Sequence, residues 1–331
     1  MKLRKSMSSI VAGWLGLSAM LWAMLSPGTA NAQADYPNRP VKIIVPFSAG
    51  GLSDNLMRLF GKELWDRFGQ PFILDFKPGA ATNLGAAAVA TAPPDGYTLF
   101  VSTMASHVLN KWSYKSLSYD ADAMVNVGMV GAVTSFLLVR SDSPFRSVED
   151  LVRAARRAPG AMSYGSHGAG GPNHLLTELF LTKAGISQLV HVPYKGMQQS
   201  SADLIGGRID FMIDAGLINL VDGGRLRALA VAYPGRLPMR PSIPTMSEAG
   251  YPDATMTAFF GIAAPAGTPP AIADKLNLAL REIAAMPAIE KQMLAMNVMP
   301  LRSTRQETAE FIREQSAKWG PMLKALNITF D

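Results

Sequence analysis

The sequence predicts an α/β protein of two lobes, and three observations carry that reading. The chain has 331 residues, 48% hydrophobic and 17% charged, which is long for one domain and apolar enough to build cores. Short apolar runs recur, each followed by a small-residue turn and a stretch with helical spacing, the alternation of an α/β fold with mainly parallel sheet. A second series of this kind begins near residue 130, and the first series and a helical C-terminal third flank it, so the chain is expected to cross twice between lobes.

The elements follow in order. Residues 41–45 are a short apolar run ended by Pro46 and read as a strand. Beyond residues 48–51, Leu56, Leu59, Phe60 and Leu64 recur at spacings of three and four, one apolar helix face. Residues 72–74 form a second strand, Pro78-Gly79 breaks it, and the alanine-rich stretch 83–90 is a helix. Pro94-Asp95-Gly96 turns into a strand over 97–101. In the second series, 136–139, 162–165, 190–194, 209–213 and 226–231 read as strands. Helices are expected over 148–156, 174–184 and a stretch through Leu204. Residues 259–265 are strand-like again, and Thr268-Pro269-Pro270 starts a helix, since proline is tolerated at the first helical positions. Glu307, Phe311, Trp319 and Leu323 lie in amphipathic helical patterns.

The N-terminus reads as an export signal rather than as part of the fold. Lys2, Arg4 and Lys5 precede an uncharged apolar run over 10–25, and the small triplet Ala30-Asn31-Ala32 follows, with cleavage expected after Ala32. The run is short for a membrane span of about 20 residues. The whole chain carries 31 basic and 25 acidic residues, net +6; without the three signal cations it carries 28 and 25, net +3. The basic surplus is thus largely the export tag, and nucleic acid is a poor partner on electrostatic grounds. The absence of cysteine excludes a disulfide scaffold, a thiolate metal site, a thiol nucleophile and a lipid-anchored N-terminus.

One device repeats: strand, small-residue turn, helix start. It occurs at Pro46-Phe47-Ser48-Ala49-Gly50-Gly51 before Asp54, and at Tyr164-Gly165-Ser166-His167-Gly168-Ala169-Gly170-Gly171 before His174. A shorter version is Tyr194-Lys195-Gly196. Helix starts leave N–H groups without partners and carry partial positive charge, and glycine lets a ligand approach them. Such turns can hold a carboxylate or phosphate without a basic side chain, and Ser48, Ser53, Ser102, Thr103 and Ser166 would add hydroxyls. Asp54 suits its own helix start; Asp214, at a strand end, could bind a ligand amine, orient water or cap a turn.

Enzyme motifs are not completed. The turn at Gly165 lacks the third glycine of a dinucleotide fingerprint, and Tyr164 stands where a nucleophile elbow around Ser166 needs glycine. No phosphate-binding P-loop follows Gly61-Lys62. His107, His167, His174 and His191 have no zinc spacing, so no metal and no cofactor are expected.

Several blocks together resemble the Bug (TctC) substrate-binding proteins of tripartite tricarboxylate transporters. They are Tyr36-Pro37-Asn38-Arg39-Pro40-Val41, Val45-Pro46-Phe47-Ser48-Ala49-Gly50-Gly51 with Asp54, and Asn83-Leu84-Gly85. Ala92-Pro93-Pro94-Asp95-Gly96-Tyr97-Thr98-Leu99, Tyr164-Gly165-Ser166 and His191-Val192-Pro193-Tyr194-Lys195-Gly196 continue the series. Leu226-Arg227-Ala228-Leu229-Ala230 and Ala264-Pro265-Ala266-Gly267-Thr268-Pro269 complete it in the family's order. The resemblance implies a type II periplasmic binding protein fold: two α/β lobes, joined by two crossing strands, with a ligand cleft between them. The lobes would be 33–130 plus 256–331, and 131–255, after a signal peptide over 1–32.

It further implies a periplasmic, monomeric protein that closes on a di- or tricarboxylate or an aromatic carboxylate. The loaded protein would deliver to the large and small subunits of a membrane permease. A sensing module for a signalling partner and a secreted serine hydrolase using Ser166 are the alternative readings. Matched by position, Phe47, Ala49, Gly50, Gly51 and Asp54 fall in the first binding loop, and Ser166, Gly168, Gly170 and His174 in the facing one. Tyr194, Lys195, Gly196 and Asp214 match the remaining cleft segments. Two stretches depart from the family pattern: Ser106-His107-Val108-Leu109-Asn110-Lys111 replaces an Asn-Pro, and Phe259-Phe260 stands where tryptophan is common.

Overall fold

The computed structural model describes residues 35–168, 171–194 and 197–325, so the expected signal peptide, Gly170, Lys195 and Gly196 lie outside the described residues. Met1–Asn38 and Arg39–Asp331 are separate units; the described part of the first holds no helix or strand, and the fold below belongs to the second.

The first series gives β1 (Val41–Val45), α1 (Leu52–Phe68), β2 (Phe72–Phe76), α2 (Asn83–Ala90) and β3 (Thr98–Thr103). A π-helical turn over Ala105–Leu109 leads into α3 (Asn110–Ser113) and then β4 (Val125–Thr134). The second series is β5 (Phe136–Arg140), α4 (Val148–Arg157), β6 (Ser163–Ser166), α5 (Pro172–Lys183), β7 (Val190–Pro193), α6 (Met197–Ile205), β8 (Phe211–Asp214), α7 (Ile218–Asp222) and β9 (Leu226–Val231). The chain closes with β10 (Thr257–Ala264), α8 (Pro270–Ala284), α9 (Pro287–Ala295), β11 (Val298–Pro300) and α10 (Arg305–Ala325).

Two sheets result, one for each α/β lobe: β11-β4-β10-β3-β1-β2 and β7-β6-β8-β5-β9. The expectation of mainly parallel strands is corrected, because both sheets are mixed. β1 runs parallel to β2 and β3, and β6 to β7 and β8. β10 is antiparallel to β3 and β4, β11 to β4, and β5 to β8 and β9. β10 re-enters the first sheet after the chain has run through the second, and its direction is set by where it re-enters. An apolar run carries no record of that direction. The chain crosses from β4 to β5 at Ser135 and returns between β9 and β10.

β4 and β11 escaped the strand reading. Glycine interrupts the apolar residues of β4, and it does so where other elements come close: a Cβ on Gly128 would lie 2.7 Å from Asn277 Nδ2. That amide donates instead to Val127 O at 2.7 Å, seating α8 on the strand.

β5 explains the second lobe's apolar runs. Leu137 and Val139 enter one core with Tyr164, Leu176, Phe180 and Phe211, while Phe136 and Leu138 enter another with Leu204, Met212 and Leu226. A strand covered on both faces reads as continuous apolar sequence. α4 begins on a reciprocal cap, Asp150 N donating to Ser147 Oγ at 3.1 Å while the Asp150 carboxylate accepts from Ser147 N. In α10, Trp319 is fully buried, and Gly320 lets the helix approach Trp112, whose ring would lie 2.6 Å from an added Cβ.

Candidate functional site

The expected binding turns follow strand ends. In α/β sheets the carboxyl ends of parallel strands are where loops gather around ligands. β1 ends at Val45 and the chain turns through exposed Ser48, Ala49, Gly50 and Gly51 into α1. Gly50 has φ +85°, a conformation that favours glycine. Gly51 is the N-cap and no side chain caps the 17-residue helix, so its first N–H groups are left to other partners.

Asp54 ties this turn from inside. It is buried, its Oδ2 accepts from Gly50 N at 2.8 Å, and its Oδ1 lies 2.6 Å from Arg58 Nε, an ion-pair contact without hydrogen-bond alignment. Through Oδ2 it ties Gly50 of the turn to the first turn of α1. Phe47, half-buried, meets Phe260 of β10 edge to face, with centroids 6.1 Å apart.

Ser102 and Thr103 at the end of β3 are buried. The Thr103 hydroxyl lies 3.2 Å from Ser106 Oγ and accepts from Ser106 N at 3.2 Å. The Ser102 hydroxyl packs against Gly261, where a Cβ would lie 2.7 Å away. Ser53 is buried as well.

The second lobe is organised by histidine. The fully buried Ser166 donates to Gly168 O at 3.0 Å and lies 2.7 Å from His191 Nε2. With its single hydrogen on Gly168, Ser166 accepts from the imidazole N–H. His191 stacks on His174 at 4.0 Å and on Tyr164 at 4.9 Å, and Tyr164 stacks on Phe211 at 5.8 Å. Burial, helped by His174 alongside, lowers the His191 pKa to about 4; burial lowers that of His174 too. Tyr164 OH donates to Glu178, and burial together with that carboxylate raises its pKa.

His167, on the turn itself, sits between two partners. Its Nε2 is 3.1 Å from Ser200 Oγ and its Nδ1 is 3.3 Å from Asp214 Oδ2. Asp214 is buried and also accepts from Gly216 N at 2.7 Å and Asn173 Nδ2 at 3.4 Å. Burial pushes its carboxyl pKa up, against the pull of His167 and the Gly216 and Leu217 N–H groups. Asp214 therefore caps a turn and anchors His167. Gly168 has φ +112°. Tyr194 N donates to Ser166 O at 2.8 Å, joining two turns, and its hydroxyl donates to Asp203 at 2.9 Å. Burial and Asp203 raise the Tyr194 pKa to about 12.

The expected residues thus fall into two groups. Phe47, the turn from Ser48 to Gly51, His167 and Gly168 retain exposed or half-exposed surface. Asp54, Ser102, Thr103, Ser166, His174, Tyr194 and Asp214 are buried behind them. Sequence reasoning did not name Asn173 or Ser200, and it noted Phe260 only as a departure from the family pattern. Asn173 lay open to inference, since an amide in the first turn of a helix can reach back to the preceding loop, as its Oδ1 does to His167 N at 3.5 Å.

The Ser166–His191 contact has the parts of a nucleophile and base with the roles reversed. The serine is inaccessible, its proton is on a carbonyl, and among the described residues His191 has no carboxylate hydrogen-bond partner. Among the described residues no group of three or more His, Cys, Asp or Glu is arranged to hold a metal, and no helix is long and apolar enough to cross a membrane. Two surface cavities, of about 500 and 460 Å³, share no residue with these turns.

A family model for the tripartite tricarboxylate transporter family receptor matches residues 56–328. BugT of Bordetella pertussis is 32% identical over 293 residues, 87% of this chain and 90% of that protein. The structure of Rpa4515 of R. palustris with adipate is 32% identical, with TM-score 0.80, covering 89% of this chain and 99% of that one. MatC of Rhodopseudomonas palustris, with bound malate, is 26% identical with TM-score 0.75, covering 87% and 100%.

Proposed function

From the premise that the chain belongs to the tripartite tricarboxylate transporter receptor family, a family of periplasmic solute-binding proteins, we propose that it captures a small carboxylated solute and delivers it to a membrane transporter. The observation that supports this best is the pair of glycine turns, one in each lobe, each leading into a helix with glycine at its N-cap. At the second, Pro172 has no N–H and His174 N donates to Asn173 Oδ1 at 3.1 Å, so the N–H groups open to a ligand are chiefly those of α1. Uncapped N–H groups and the helix dipole favour a carboxylate without a basic side chain. A carboxylate so held keeps charge-assisted hydrogen bonds in place of hydration. The contacting surface is the turn from Phe47 to Gly51 with His167 and Gly168.

Capture proceeds by closure of the two lobes about Ser135 and the β9–β10 return, biased toward the closed state by contacts that only it makes. Adipate in Rpa4515 and malate in MatC set the size of solute to try. The protein acts as a monomer in the periplasm after cleavage at Ala32 and partners the large and small permease subunits. Its role is binding, not turnover. The test is mass spectrometry of small molecules retained on native purification, followed by calorimetry with a carboxylate panel. Retention of a carboxylate that binds stoichiometrically is expected; a folded protein that binds none of the panel refutes the reading.

A further inference from the structure

The two lobes touch on a flank away from the glycine turns. In the first sheet, the turn after β1 lies three strands to one side of β4, where the chain leaves the lobe, and β11 lies on the other side. In the second sheet, the turn after β6 lies two strands to one side of β5, where the chain arrives, and β9 lies on the other. The return segment runs outside β9, with Val231 N donating to Pro244 O at 2.8 Å and Met246 N to Val231 O at 2.9 Å.

These outer flanks meet. Arg240 of the return segment donates to Asn297 Oδ1, just before β11, from Nε at 3.2 Å and from Nη2 at 3.1 Å. The same guanidinium is held within its own lobe by Asp222 of α7, at 2.7 Å, so little side-chain freedom is left to lose when it reaches across. Met299 of β11 is paired with Ala132 of β4, yet its side chain packs against the second-lobe core that holds Phe136, Leu138 and Leu237. Since the β11 flank meets the β9 flank, the β1 and β6 flanks face each other on the far side of the crossing strands. A rotation about Ser135 and the return that narrows the space between the glycine turns therefore widens the space between Arg240 and Asn297. Contacts on this flank favour the open state, and closure has to give them up.

Resting on the lobe-closure reading above, we propose that Arg240, Asn297 and Met299 form a counter-latch that holds the lobes apart and weakens solute binding from outside the solute site. They are positioning residues, placed away from the glycine turns. Loosening the latch raises the share of molecules ready to close, and apparent affinity rises in proportion to that share.

Two variants test this. Asn297→Gly removes the acceptor and suits the backbone there, whose φ is +56°. Met299→Ala removes the apolar contact and serves should the first variant not fold. The chain has no cysteine, so Lys77→Cys with Gln198→Cys supplies two unique spin-label sites, both exposed, one after β2 and one at the start of α6. In double electron–electron resonance without solute, each latch variant is expected to shift the label distances toward shorter values. Calorimetry with adipate and malate on the unlabelled proteins is expected to show about fivefold tighter binding in each variant, the weight of one modest contact. Unchanged distances in the folded variants overturn the latch, and so does unchanged or weaker binding of a solute that the parent binds. Failure of the parent to bind either solute counts against the carboxylate reading alone, and the label distances still decide the latch.

Discussion

Lowering the pH tests the burial of His107, which the site does not use. The ring is fully buried at the π-helical turn, with Nδ1 2.9 Å from Ser106 Oγ, Phe100 stacked at 6.0 Å and Nε2 without a partner. Burial lowers its pKa from 6.5 to about 4; Asp122 and Lys111 pull in opposite directions. The unfolded chain therefore binds a proton that the folded chain refuses between these values, and stability falls as pH drops through that window. The gap is worth about 3 kcal/mol, complete near pH 7 and lost by about pH 4. Urea unfolding of the protein and of His107→Asn, at steps from pH 7.5 to 4, isolates it from His191 and the carboxylates. The parent should lose about 3 kcal/mol more than the variant. Parallel pH profiles in the two proteins would refute a buried neutral His107.

Four further outcomes follow from local contacts. Gly50→Ala forces a side chain to φ +85°, at about 1–2 kcal/mol, and weakens solute binding in calorimetry. Asp54→Ala leaves Gly50 N–H without its acceptor, and urea unfolding should show a loss of about 1–2 kcal/mol. Ser166→Ala removes the bond to Gly168 O, costs about 1 kcal/mol and weakens solute affinity; ester turnover that disappeared in this variant would instead restore the hydrolase reading. Gly320→Ala drives a methyl into Trp112 and should cost about 1–3 kcal/mol, read as a lowered melting temperature.

Much of the fold was legible because its elements are locally consistent. The run at β5 is apolar on both faces because both faces are covered, and α4 announces its start with Ser147 and Asp150. β4 was not legible, because its glycines answer to Asn277 and Val298, which lie far along the chain. Strand direction was not legible for the same reason. In the site, the glycine turns could be read from composition and spacing. That the hydroxyl of Thr103 meets Ser106 could not, because Ser106 belongs to a π-helical turn. Phe260 was noticed only as a departure from a family pattern; its contact with Phe47 joins β10 to the turn after β1, more than 200 residues earlier in the chain.

The place of β10 between β3 and β4 fixes an order of assembly. The five-stranded sheet draws its strands from one contiguous stretch, residues 136–231, and has all its partners once that stretch exists. β3 and β4 have no partner on their facing edges until residues 257–264 have been made. The lobe that begins the chain is thus the last to be completed, and β10 closes it as a wedge, a long-range pairing of the slow kind. A chain halted before residue 257 would hold all five strands of the second sheet, while β3 would lack one partner and β4 both, the form most exposed to edge-to-edge aggregation.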